Sequence, residues 1–149
     1  MSIITIRPAR TLDAGKLADI MGAANARLQW LPKLYSGAEE IMLVGDMIEA
    51  GWVRTAYADE VLAGFIARKG TEIHGLYLLP HLQGQGIARK LITDAQRRAK
   101  KLGLWSYEEN ERAARFYRKA GFEGITRTDG EGNDAKLPDI RFEWIKENG

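Results

Sequence analysis

Cysteine is absent from the 149-residue chain, which excludes disulfides, zinc–thiolate centres and cysteine nucleophiles together. Histidine is scarce: His74 and His81 are the only two, too few to make a metal site by themselves. The charge excess is thin as well. Lys and Arg number 22 against 20 Asp and Glu, a formal net charge of +2, which does not describe a nucleic-acid protein. The densest basic stretch, RRAKK at residues 97–101, falls late in a helical pattern. Cations there suit the helix dipole and solvate an outer face, or else form a binding surface. No segment has the length to span a bilayer. The opening MSIITIRPARTLDAGKL has only a brief apolar run before Arg7 and Pro8, which fits a first strand and not a signal peptide. The expectation is a soluble, cytoplasmic protein with no metal, no nucleic-acid partner and no membrane partner.

What is present is ordinary globular composition, 45% hydrophobic and 28% charged, enough for a real core. No Pro-, Gly- or Ser-rich linker divides the chain, so one domain over residues 1–149 is expected. IITIRPA reads as a strand. Residues 11–30 read as a helix with Leu12, Leu17, Ile20 and Met21 as apolar positions and Thr11 or Asp13 as cap, and SGAEEIMLVGDMIEAG reads as a second helix capped by Ser36 and closed by Gly51. WVRTAYA, VLAGFIARK and EIHGLYLLP are strands joined by connections too short for anything but antiparallel neighbours. A helix over residues 87–101 carries Ile87, Leu91, Ile92, Ala95, Ala99 and Leu102 on one stripe and ends at Gly103. LWSYEEN is a further strand, NERAARFYRKA a helix stopped by Gly121, and FEGITRT with DIRFEWIK a closing pair. The fold class is α/β, with a mixed, mostly antiparallel sheet flanked by helices.

The loop between the fourth strand and the third helix carries Gly84 and Gly86. A helix N-terminus offers unpaired backbone N–H groups and partial positive charge, and so attracts anions. Glycine removes the Cβ that would hold a bulky anion off, and it permits the positive φ that turns N–H groups inward. The loop is therefore either a plain turn or a phosphate cradle. A P-loop would need Gly-x4-Gly-Lys-Ser/Thr, which is nowhere in the chain, and a dinucleotide fingerprint would need a small residue where Arg89 stands.

Gln83-Gly84-Gln85-Gly86-Ile87-Ala88 matches the pattern Gln/Arg-x-x-Gly-x-Gly/Ala. With LYLLP before it and NERAARFYRKAGF behind it, the chain resembles the GNAT superfamily of acyl-CoA-dependent N-acyltransferases over about residues 72–122. The resemblance implies that backbone N–H groups of Gly84, Gln85, Gly86, Ile87, Ala88 and Arg89, with Gln83 at the head of the loop, bind the pyrophosphate of coenzyme A. It implies that Leu76, Tyr77 and Leu78 offer a strand edge to the pantetheine arm, that Asn110 contacts that arm, and that Ala113 leaves it room. Tyr117, by the same likeness, protonates the departing thiolate. A thiol of pKa about 8.5 can be trapped by a phenol near 10, although on spacing alone Tyr117 also reads as a core aromatic beside Phe116, and Asn110 as a helix cap.

The acceptor amine must lose a proton before it attacks. Glu72 and His74 share a face of the fourth strand, which makes Glu72 the first candidate base and His74 the second; a solvated strand-end carboxylate is the plainer reading of Glu72. His81 reads as surface. The expected reaction is direct transfer of acetyl from acetyl-CoA to a primary amine, on a small molecule, a peptide or protein N-terminus, or a lysine. A homodimer fits the resemblance, and a non-catalytic acyl-CoA sensor of the same fold is the rival. LQWLPKLY and the aromatics Trp30, Trp52 and Tyr35 fall where the family shapes its acceptor side, and core packing suits them equally well. EGNDAKLPDI is a loop or a lid over it.

Overall fold

The computed structural model describes residues 2–147. Its strands and helices follow one another as β1 (Ile4–Pro8), α1 (Ala14–Ala26), α2 (Gly37–Glu49), β2 (Val53–Ala58), β3 (Val61–Lys69), β4 (Glu72–Leu78), α3 (Ile87–Arg98), β5 (Lys101–Tyr107), α4 (Glu111–Lys119), β6 (Glu123–Thr128) and β7 (Asp139–Ile145). The expected succession of elements and the mostly antiparallel sheet are both present. The seven strands lie in the order β1-β2-β3-β4-β5-β7-β6, so β7 inserts between β5 and β6.

Alternation along β3, broken once by a bulge that leaves Ala63 unpaired between the Ala56–Gly64 and Tyr57–Leu62 pairs, sets the two layers. Phe65 and Ala67 pack with Leu17, Met21, Val44 and Ile48 of α1 and α2 on one face of the sheet, while Ala63 and Ile66 pack with Leu91, Ile92 and Ala114 of α3 and α4 on the other. A strand covered on both faces has no polar side to show, which is why residues 63–67 form an unbroken buried run.

Two helix boundaries differ from the sequence reading. The first helix does not run to residue 30: a 3-10 turn at Thr11–Asp13 precedes α1, and Arg27 ends it. Asp13 stands at the N-cap position of α1 without a capping bond from its side chain; it accepts the Arg10 backbone N–H at 2.8 Å instead, closing the 3-10 turn, while Leu12 lies outside the core at 88% exposed. The third helix stops at Arg98, three residues short. Ala99 is extended at φ −141, and residues 101–107 pair with β7, beginning at Lys101 opposite Ile145. Strand pairing outweighs the helical period there, and Leu102 reaches the core from a strand. Gly103, read as a helix stop, lies inside β5, where the Arg141 guanidinium packs directly over its Cα and occupies the space of a Cβ.

The join between β4 and β5 positions the site. It is parallel and consists of one ladder pair, Glu72 with Gly103, reinforced by the Gly103 N–H donating to the Thr71 carbonyl at 2.8 Å. Beyond that pair the strands diverge. A β-bulge accompanies the divergence: Ala67 faces Gly75 and Arg68 faces Ile73, leaving His74 as the extra residue.

Candidate active site

The divergence of β4 from β5 leaves the β4 edge at residues 76–78 without a strand partner, and α3 and α4 approach this wedge with their N-terminal ends. The helix ends differ. α2 is capped by Ser36, whose Oγ accepts the Glu39 N–H at 3.2 Å, and α4 by Asn110, whose Oδ1 accepts the Ala113 N–H at 3.1 Å. α3 has Gly86 at its cap position, with no side chain to offer. Its first helical bond runs from Lys90 N–H to the Gly86 carbonyl at 3.1 Å, so the N–H groups of residues 87–89 have no partner within the helix.

Gly84 and Gly86 both adopt positive φ, +82 and +83, and a Cβ at either would meet no heavy atom within 4 Å. The conformation demands glycine, and the space over it is open. A cavity of about 590 Å³ lies above this loop. Gln83, Gly84, Gly86, Ile87, Ala88 and Arg89 line it from one side, Leu76, Tyr77 and Leu78 from the strand edge, and Asn110, Ala113 and Tyr117 from α4. Gln85 is the single member of the sequence-derived binding set outside the lining. Ala114 packs into the core instead. The sequence reading missed Arg27 and Arg112, which with Arg89 give this cavity three guanidinium groups and no carboxylate. An uncapped helix end, an open glycine loop and three cations fit a diphosphate ester.

A second cavity, of about 630 Å³, lies on the other side of the same wall. Leu76, Tyr77, Asn110, Ala113 and Tyr117 line both. His74, Trp105, Tyr107 and Asp139 line the second only. Trp30, Trp52 and Tyr35 line neither: Trp30 packs edge-on against Tyr107 at 5.7 Å, Trp52 stacks on His74 at 5.1 Å, and the Tyr35 hydroxyl donates to Asp134 at 3.0 Å. The last contact ties the α1–α2 connection to the β6–β7 loop.

Tyr117 is half-buried, with its ring among Phe116, Phe122 and Phe142, so the core-aromatic and cavity readings describe one residue. Burial, and after it the neighbouring Tyr77, pushes its phenol well above the ordinary tyrosine value. Burial likewise pushes Tyr77 up to about 12. Both are protonated at neutral pH. Glu72 lines neither cavity. Its Oε2 accepts from Arg141 Nη1 at 2.7 Å, and this contact is the largest influence raising the Arg141 guanidinium above its ordinary value. As a free base Glu72 is corrected by this geometry: the carboxylate is held by a cation beside the single β4–β5 ladder pair. His81 is exposed in the turn after β4. Among the described residues no group of three His, Cys, Asp or Glu could hold a metal ion, and no helix is long and apolar enough to cross a membrane.

The model of the acetyltransferase (GNAT) family matches residues 20–122. The chain belongs to the GNAT family of acetyltransferases. Among GNAT relatives, the peptidyl-lysine N-acetyltransferase YjaB of Salmonella typhimurium is 32% identical over 130 residues, covering 85% of this chain and 88% of that protein. The fold is shared with the apo-form YjaB of Escherichia coli at a TM-score of 0.79 and 24% identity, covering 97% of this chain and 99% of that one. It is also shared with the PaiA N-acetyltransferase of Thermoplasma acidophilum in complex with coenzyme A, at a TM-score of 0.68 and 21% identity, covering 96% and 99%. The matched span includes the glycine loop at residues 83–88.

Proposed function

We propose that this GNAT enzyme transfers acetyl from acetyl-CoA to a primary amine, with a peptidyl lysine as the favoured acceptor, by direct attack with both substrates bound. One observation carries the reading: Tyr117 stands in the wall common to two cavities, one suited to a diphosphate ester and the other open to an acceptor. The backbone N–H groups at Gly84, Gly86, Ile87, Ala88 and Arg89 hold the pyrophosphate, Gln83 and Gln85 flank it, and Arg27 and Arg112 add charge at the rim. The edge of residues 76–78 runs beside the pantetheine arm, and a backbone N–H there steadies the carbonyl oxygen as negative charge builds. Asn110 holds the helix end against that arm, and Ala113 leaves space for it.

Tyr117 gives its proton to the departing thiolate. Burial that raises the phenol also disfavours a thiolate beside it, so donor and acceptor pKa move together and the transfer stays feasible. On the amine side His74 lines the acceptor cavity and accepts the proton directly or through water; Glu72 serves as a clamp on Arg141. The YjaB relative's name supports the lysine acceptor. The test is release of free thiol from acetyl-CoA with a lysine-bearing peptide, a peptide presenting only its N-terminus, and a small alkylamine. Release above the solvent background with the lysine peptide is expected; no release with any of the three refutes the reading.

A further inference from the structure

A carboxylate taken out of water needs a counter-charge, because neutral hydrogen bonds replace only part of its hydration. Among the described residues the buried polar ones are Asp13, Thr55 and Asp139. Asp13 has Arg10 at 3.8 Å, and Thr55 donates to the Arg7 carbonyl at 2.9 Å. Asp139 is different. Its Oδ1 accepts from the Thr128 hydroxyl and its Oδ2 from Asn133 Nδ2 at 3.2 Å, both neutral donors. None of the ion pairs among the described residues includes it. Asp139 is 8% exposed, and the surface it keeps opens on the second cavity.

The rest of that cavity has matching chemistry. No Lys or Arg lines it, His74 is the one ionisable nitrogen in its wall, and Tyr107 and Tyr77 supply aromatic surface, while the ring of Trp105 already has the Arg141 guanidinium over it at 5.6 Å. Tyr107 faces Asp139 across the β5–β7 ladder. A carboxylate with ring faces beside it is what an alkylammonium requires: a partner for the charge, and π-faces for the cation and its methylene stem. An alkylamine with pKa near 10 arrives at neutral pH as the cation in all but about one molecule in a thousand. The ground-state acceptor is therefore an ammonium ion.

We propose that Asp139 is the specificity-determining counter-ion of the acceptor, and that the second cavity takes a primary alkylammonium as a cation before its proton is lost. The inference rests on reading that cavity as the acceptor side. Neutral acceptors forgo the ion pair, and acceptors with a carboxylate next to the amine meet Asp139 as a like charge.

The test is calorimetric titration of the intact protein, with and without saturating desulfo-coenzyme A, using pentylammonium and its neutral isostere pentan-1-ol. The wild-type protein is expected to prefer the cation by about tenfold or more, and Asp139→Asn to bring the two within about twofold. Equal affinity in the wild type, no detectable binding of the cation, or a preference that survives Asp139→Asn overturns the proposal. Thr128 and Asn133 both bond to Asp139, so loss of folding in that variant is foreseeable, and Gly132→Lys supplies a second route. Gly132 lines the same cavity, and a Cβ there meets nothing within 4 Å. The added cation is expected to weaken pentylammonium binding about fivefold and leave pentan-1-ol unchanged; an unchanged cation affinity overturns the proposal. Turnover is not involved. Thiol release without a cation preference defeats the ammonium site alone, and a cation preference without thiol release defeats the transferase reading alone.

Discussion

The two cavities are near equals in size, about 590 and 630 Å³, and share a wall, yet their chemistry is opposed. The cavity proposed for the donor has Arg27, Arg89 and Arg112 and no carboxylate; the cavity proposed for the acceptor has Asp139 and neither Lys nor Arg. The net charge of +2 conceals this division completely. A whole-chain charge describes solubility and long-range steering, whereas recognition depends on where each sign is placed. The wall between is neutral: Asn25, Leu28, Leu76, Tyr77, Asn110, Ala113 and Tyr117. In the proposed reaction the two substrates would meet at this shared neutral surface, each with its charge held in its own cavity.

The sharpest break in this comparison is at the wall. Tyr117→Phe is expected to lower kcat by about a hundredfold or more while coenzyme affinity moves less than about threefold; steady-state kinetics with a dissociation constant for coenzyme A decide it, and equal turnover removes Tyr117 from the acid role. Next comes the donor side alone. Gly86→Val forces a β-branched residue to φ +83 and fills the cradle, so coenzyme affinity should fall about ten- to a hundredfold by calorimetry while pentylammonium binding persists. The wall has a pH signature. Tyr77 titrates at about 12 in the folded protein against 10.0 ordinarily, so its contribution to stability is complete below pH 10 and is lost as pH rises from 10 to about 12. Tyr117, raised from the same ordinary value, adds to the loss from pH 10 upward. Unfolding free energies from denaturant titrations should fall across that window by about 1.4 kcal/mol per pH unit for each of the two tyrosines at most, and values that rise there contradict the burial. Arg112→Glu should weaken coenzyme binding about two- to fivefold, more at low salt, without touching the acceptor KM. The smallest effect belongs to the tie between the α1–α2 connection and the β6–β7 loop: Tyr35→Phe removes an exposed hydrogen bond to Asp134 and should cost less than about 1 kcal/mol, with faster amide exchange in residues 129–138 as its marker.

The donor side was legible in the sequence because it is built locally. Gly84, Gly86 and the period of α3 lie within a few residues of one another, and the need for positive φ and an open helix end follows from that spacing. Asn110 and Tyr117 were legible for the same reason, seven positions apart on one helix face. The acceptor side is assembled from segments far apart in sequence. Trp105 and Tyr107 read only as strand residues, and Asp139 as the end of a loop, because the β5–β7 pairing that gathers them was visible in no single segment. The ion pair of Glu72 was illegible for a related reason: its partner Arg141 is 69 positions away. The overlong third helix has a similar cause, since residues 99–102 satisfy a helical stripe locally and are claimed by β7 from a distance.

The lone rung between Glu72 and Gly103 gives the sheet the outline of tongs. With β1 to β4 on one side and β5, β7 and β6 on the other, the two halves meet at that single pair, beside the contact of Arg141 with Glu72. Widening the enzyme for bulkier acyl donors would accordingly begin at that junction, with Arg141 and the residue facing it, and not in the residues that touch the acyl group.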